Sequence, residues 1–235
     1  GLSINRAAVS LGTPMTDPGT NLLQVLMAQN GVTLRDLGTW TAADRTGYYP
    51  GVKALDFFTS FANPQKSSYT WSDTLGSPPD AFVAGRSAML IGPSSLRASL
   101  TAVGSDLGQS PLPAIRSDRP LNHASFSAYA VGVGSPNVYV AWDFLKFATS
   151  ERELGRYLDS SGRLSPRLDL ARSQSRDGRH DAFASQLSVS HSWPLSAYPE
   201  TVQALQAAAA GVLTGRQTSL QALEQAVATL QPLLK

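Results

Sequence analysis

Cysteine is absent from all 235 residues, which excludes a disulfide framework, a thiolate metal site and a cysteine nucleophile. Charge is scarce as well: charged side chains make up 15% of the chain, against about 25% in ordinary globular proteins. Because the apolar share is 42%, disorder and supercharging are both excluded and a packed core is expected. Lysine occurs only four times, so arginine supplies most of the positive charge. Nineteen basic minus seventeen acidic residues leaves a net charge of only +2, and the high pI implies no polyanion-binding surface; nucleic acid is not an expected partner. No apolar run approaches the roughly 18 residues that span a bilayer. No basic start followed by an apolar stretch marks a signal peptide. The chain begins at Gly1 rather than Met, so a processed, trimmed or fragmentary product is expected, with any targeting segment outside it.

Local catalytic signatures are missing too. There is no nucleophile elbow, phosphate loop, dinucleotide fingerprint or histidine pair on one helical turn. His123, His180 and His191 lack carboxylates at ligand spacing, so neither a metal nor another cofactor is expected. The four lysines have Pro50, Asn63, Asp143 or Pro232 three positions earlier, which removes the Ser-x-x-Lys arrangement of serine acyl enzymes.

What is present is an alternation of strand and helix signals, hence an α/β arrangement. Leu2 to Leu11 alternates loosely and ends in Gly12, Thr13 and Pro14, as a strand entering a turn does. Asp17 and Pro18 open a helix that stops at Gly31. A second runs from Pro50 to Asn63 with Ala54, Phe57, Phe58 and Phe61 as its core stripe. A helical turn at Asp80 to Ala84 and a buried strand at Ser87 to Ile91 end at Gly92 and Pro93, and a helix over Ser94 to Val103 comes next, with Ser94 or Ser95 as its cap. Three prolines make Gly108 to Pro120 a connector.

Ser125 to Val133 reads as a strand, followed by a helix with Val138, Ala141, Trp142 and Leu145 on one face, Trp142 being expected in the core. Ser150 with Glu153 predicts a capping box for a helix that stops at Gly162. Arg163 to Arg179 reads as a solvated, irregular loop. A short helix over Asp181 to Val189 and a loop from Ser192 to Pro199 lead to two closing helices, Glu200 to Thr214 and Thr218 to Leu230, the second opened by a Thr218 to Gln221 capping box.

Three stretches in this order carry a family likeness. They are Ala81 to Pro93, reading AFVAGRSAMLIGP; Ala141 to Phe147, reading AWDFLKF, together with Gly162 to Arg167, reading GRLSPR; and Leu213 to Thr218, reading LTGRQT, with Ala222 and Leu223. On them the chain resembles the maltose-binding-protein-like, family 1 extracellular solute-binding proteins of ABC importers. The resemblance covers most of the chain and implies a type II periplasmic-binding-protein-like α/β fold. The two-lobe architecture would be incomplete, with most of the N-terminal lobe missing. Residues 1–112 and 165–235 would then belong to the C-terminal lobe, and 113–164 would be a crossover and segment of the N-terminal lobe.

The likeness implies capture rather than catalysis, with a solute held between two lobes whose closure an importer recognises. The implied partners are a sugar or oligosaccharide and the importer's membrane subunits. The implied location is extracellular or periplasmic, and the family pattern admits a lipid anchor on the full-length protein. Positions matching the family's cleft loops are Gly92, Pro93, Ser94 and Ser95, then Ser125 and Phe126, then Ser196 to Pro199 with Tyr198 among them. Trp71 and Trp193 join as loop-borne rings able to stack on a sugar. Each has a structural alternative: a helix cap for the two serines, core packing for Phe126, and packing beneath Pro194 for Trp193. Ser94 stands where many sugar-binding members place Trp after the Gly-Pro turn, and Pro199 and Glu200 stand where an aromatic is common, so specificity stays open. Two other classes remain: an α/β hydrolytic enzyme using Ser94 and His123 brought together by folding, and a protein-interaction module.

Overall fold

In the computed structural model, which describes residues 4–12, 17–116, 118, 120–178, 180–192 and 198–233, the chain begins with strand β1 (Ala7–Ser10). Helices α1 (Asp17–Gln29), α2 (Gly38–Thr41), α3 (Pro50–Ser60) and α4 (Pro78–Val83) then carry it to strand β2 (Ser87–Leu90). A crossover of this kind brings the second strand in parallel to the first, with Ala7 opposite Ser87 and Ser10 opposite Leu90. The pair is fastened inside by Ser10 Oγ, which donates to Ser87 Oγ at 2.6 Å. Outside, the β1 amide of Ala8 finds Thr70 Oγ1 at 2.7 Å, which satisfies an edge donor that no strand covers among the described residues.

Each helix boundary here has a chemical cause. Gly31, at φ +99°, releases α1 into the next turn. Pro50 occupies the first turn of α3, where its missing N–H costs nothing. Ser77 Oγ accepts the Asp80 amide and caps α4. Gly51 permits a close approach, because a Cβ there would sit 2.2 Å from the Trp40 carbonyl oxygen of α2.

A 3-10 helix at Ser94–Asp106 comes after β2, where an α-helix is expected from the apolar spacing. Serine, threonine and glycine give that segment little helical preference, and no side chain caps it: Pro93 occupies the cap position. Neither Ser94 nor Ser95 therefore acts as the expected cap. Beyond the connector, β3 (Asn122–His123) leads by way of residues 124–137 to α5 (Val138–Ala148) and α6 (Glu151–Ser161). The Ser150 hydroxyl accepts from the Glu153 amide, one half of the expected capping box, while the Ser150 amide donates to Phe147 O instead; Gly162 ends α6 at φ +65°.

Three expectations in this region are corrected. Ser125 to Val133 forms no strand: among the described residues, the local pairing stops one step earlier, with β3 parallel to β4 (Ser190–His191). Trp142 is half exposed rather than core. The arginine-rich stretch contains α7 (Leu168–Gln174), because Asp169 both pairs with Arg167 and stands in the first turn, while Gln174 bridges Ser165 N and Arg163 O. The short α8 (Asp181–Ala184) and a 3-10 turn at Leu187–Val189 precede β4.

Helices α9 (Tyr198–Leu213) and α10 (Ser219–Leu230) close the chain, joined through Gly215 at φ +69° and a capping box complete in both directions at Thr218 and Gln221. They pack on each other and on α1, α2 and α3, so the first and last parts of the sequence share one core, in which Leu23, Met27, Trp40, Leu55, Leu205, Leu223 and Leu230 are fully buried. Each such side chain contributes about 1.5–3 kcal/mol by leaving water. Ser219 Oγ donates to Asp56 Oδ1 and ties α10 to α3.

The connector hangs on two glutamines. Gln29, at the end of α1, donates to the carbonyls of Leu121 at 2.9 Å and Pro113 at 3.3 Å and accepts the amide of Ile115. Gln186 Oε1 accepts from Leu112 N and from Asn122 Nδ2.

Candidate functional site

In a parallel strand pair, both chains leave the sheet at the same edge, so the loop after β1 and the loop after β2 meet there. Gly92, Pro93, Ser94 and Ser95 come after β2 and Ile91, whose amide donates to Ser10 O, at the edge where β1 also ends. The carboxyl edge of an α/β sheet is where loops and helix starts present free polar groups to a ligand. Gly92 and Pro93 are exposed, Ser94 is half-buried and Ser95 exposed. Leu96 N turns back to Pro93 O at 3.0 Å, which leaves the amides of Ser94 and Ser95 in the turn that has no internal acceptor. A Cβ on Gly92 would lie 2.7 Å from Leu96 Cδ1, so the bare backbone there lets the 3-10 turn fold back over the loop.

Tyr198 reaches the first turns of α1. Its hydroxyl donates to Asn21 Oδ1 at 2.9 Å and seats the start of α9 against the first turns of α1. Asn21, which sequence inspection passed over, is the residue that holds Tyr198; nothing in a lone asparagine within a helix signals such a contact.

Ser125 and Phe126 lie beyond β3, both exposed, and Phe126 is not a core residue. Trp193 and Ser196 lie outside the described residues. Trp71 is corrected: it is 1% exposed and packs with Ala7, Leu75 and Ala81 beside the start of β1, opposite the edge where the 92–95 loop sits, so its ring offers no stacking surface. Its position has its cause in the backbone, since Thr70 N and Trp71 N both donate to Phe61 O and fold the polar stretch inward behind α3.

The hydrolase geometry is not assembled. Ser94 Oγ makes no hydrogen bond among the described residues, and His123 belongs to the other strand pair, where burial lowers its pKa and favours the neutral ring. His180 is buried, with Nδ1 2.7 Å from Asp177 Oδ2, and that carboxylate orients it as the residue preceding α8. Among the described residues no group of three or more histidine or carboxylate side chains could hold a metal ion. A groove of about 600 Å³ lies between α9 and α10, walled by Ala204, Ala207, Ala208, Ala222 and Ala226, and it contains none of the predicted site residues.

A parallel strand pair with a loop at its carboxyl edge and a core shared by both ends of the sequence agree with a type II periplasmic-binding-protein-like fold. The sequence profile of the bacterial extracellular solute-binding proteins matches residues 5–182, and the chain belongs to that family. No curated protein matches it. Among solved structures it is similar to a cyclo/maltodextrin-binding protein complexed with maltotetraose, at 19% identity and a TM-score of 0.73 over 92% of this chain and 57% of that one. It is also similar to an ABC transporter solute-binding protein from Thermotoga lettingae bound with α-D-tagatose, at 19% identity and a TM-score of 0.66 over 98% of this chain and 59% of that one. The chain therefore spans less than three fifths of the length of either structure. No helix among the described residues is long and apolar enough to cross a membrane.

Proposed function

We propose that the chain is part of a non-catalytic solute-capture component of an ABC importer that works outside the cytoplasm and takes a carbohydrate into a cleft between two lobes. The observation that carries this is the family match over residues 5–182. The two similar structures, bound to maltotetraose and to tagatose, support a sugar as the solute class. Residues 1–112 and 165–235 make the C-terminal lobe, supported by the common core of α1, α2, α3, α9 and α10. Residues 113–164 are the excursion toward the other lobe.

In this proposal the 92–95 loop and Tyr198 line one wall of the cleft, with Ser125 and Phe126 on the excursion facing it. Trp193 and Ser196, in the segment before Tyr198, complete the set. Serine hydroxyls and free amides bond the polar edge of a sugar, while Phe126 offers a face to its C–H side.

A thermal-shift screen of the longest polypeptide the gene encodes tests this. A bound sugar at 100 times its Kd stabilises the folded state by about 2.7 kcal/mol and raises the melting temperature accordingly. Failure of every oligosaccharide, polyol and phosphorylated polyol to raise it overturns the proposal. Ser94→Ala and Phe126→Ala should each weaken binding without lowering the melting temperature of the ligand-free protein.

A further inference from the structure

We propose that the groove between α9 and α10 seats a second copy of this chain, the two copies packing with their α9 helices antiparallel about a two-fold axis beside Ala208. The surface is marked first by its lack of charge. In sixteen residues α9 carries one charged side chain, Glu200, and in twelve residues α10 carries one, Glu224, whereas the eleven residues of α6 carry five. A helix face that stays in water ordinarily holds charge, and its depletion is the compositional mark of a face that leaves water on association. The outer ridge of α9, where Gln203, Ala207 and Thr214 are exposed, is uncharged throughout.

The groove is built before anything enters it. Gln217 folds over Gly211, where a Cβ would lie 2.3 Å from its Oε1, and Gln217 Nε2 donates to Gln225 Oε1 at 2.5 Å, which holds the mouth of the groove in shape. A preformed cleft spares its occupant the cost of ordering it. The alanines of the floor would accept any slender helix and name no occupant. The two ends do. Glu200 lines the groove at the start of α9 and Arg216 lines it just past the end; both are exposed, and neither is in an ion pair among the described residues. Midway between positions 200 and 216 lies Ala208, inside the run Ala207 to Ala210. A second α9 laid antiparallel sets its Arg216 against Glu200 and its Glu200 against Arg216, over a span of about 24 Å, and the two backbones pass where the side chains are smallest. The same patch serves both copies, as a two-fold interface requires. Two helices side by side offer a footprint of about 24 Å by 20 Å, at the low end for a specific interface, so the dimer is reversible.

Sedimentation velocity on the longest polypeptide the gene encodes, from about 1 to 100 μM, tests the proposal, with a monomer–dimer equilibrium as the expected result. Ala207→Trp should abolish the dimer and leave the melting temperature of the monomer unchanged. Glu200→Arg and Arg216→Glu should each weaken association at least about tenfold, and the double variant should restore it to within about threefold of the parent. Restoration is the decisive readout, because a purely structural role of Glu200 in the first turn of α9 would not be rescued by reversing Arg216. A monomer at every concentration, a dimer that survives Ala207→Trp, or a double variant no better than the single ones overturns the proposal. Sugar capture is independent of it: Ala207→Trp should bind a sugar as the parent does, so the failure of either proposal leaves the other standing.

Discussion

Leu223 in α10 and Phe144 in α5 are both large apolar residues on helices with apolar periodicity, and they have opposite fates. Leu223 is fully buried among α2, α3 and α9, whereas Phe144 is 64% exposed on a helix whose main neighbour is α6. The same contrast runs through the two regions that contain them. The body made of the first and last parts of the chain satisfies itself, while the middle keeps its local helices but not the contacts that would bury their outer faces. Local helix formation and tertiary stability are therefore separable in this protein, since caps and propensity suffice for the first and only a partner surface supplies the second.

Leu223→Ala should remove about 2–5 kcal/mol of stability by urea denaturation, while Phe144→Ala in the same chain should change it by less than about 0.5 kcal/mol. Equal costs would break the contrast. Gly51→Ala should come next at about 1–3 kcal/mol, because the new methyl must displace the Trp40 carbonyl and part α2 from α3.

Capping sharpens the comparison at smaller scale. Thr218→Ala should cost about 1 kcal/mol of global stability. Ser150→Ala should instead appear as lost helical circular dichroism with little change in the main unfolding midpoint. A shift of that midpoint as large as that of Thr218→Ala would mean that the two regions unfold as one.

Two pH effects are weaker. Burial lowers the pKa of His123 below its ordinary 6.5, so the unfolded chain takes up the proton first as pH falls. Stability from the neutral ring is full above pH 6.5 and declines below it until the folded-state value is passed. His123→Asn should flatten the melting temperature between pH 7 and pH 5. Asp169, held at about 2 chiefly by its hydrogen bond from Arg167, contributes in the opposite sense to a raised group: its effect is present above the ordinary 3.8 and is lost as pH falls toward 2. The pair is exposed, so Asp169→Asn should produce only a slight change, seen in the acid limb of the curve and reduced by salt.

Much of the local fold was legible. The stops at Gly31, Gly162 and Gly215, the start at Pro50 and the cap at Thr218 all arise from chemistry within a few residues, and the structure has them where the spacing places them. The features that escaped notice depend on distant partners. Trp71 in a polar stretch reads as a surface ring, but its backbone bonds to Phe61 O turn it inward. Trp142 reads as core by its helical spacing, yet spacing fixes only which side of a helix is apolar, not whether anything lies against it. The strand signal at 125–133 fails for the same reason, because a strand exists only when a neighbour completes its hydrogen bonds. Of the candidate site, Gly92, Pro93 and Ser95 are exposed after β2 as loop residues are, whereas the Tyr198 to Asn21 hydrogen bond became visible only in three dimensions.

Gln29 gives one side chain unusual leverage. Its amide grips the outgoing chain at Pro113 and Ile115 and again at Leu121, so the direction in which the middle segment departs is set from the last turn of α1. A shorter residue there would release all three of these backbone groups at once while leaving the buried core of α1, α3, α9 and α10 untouched.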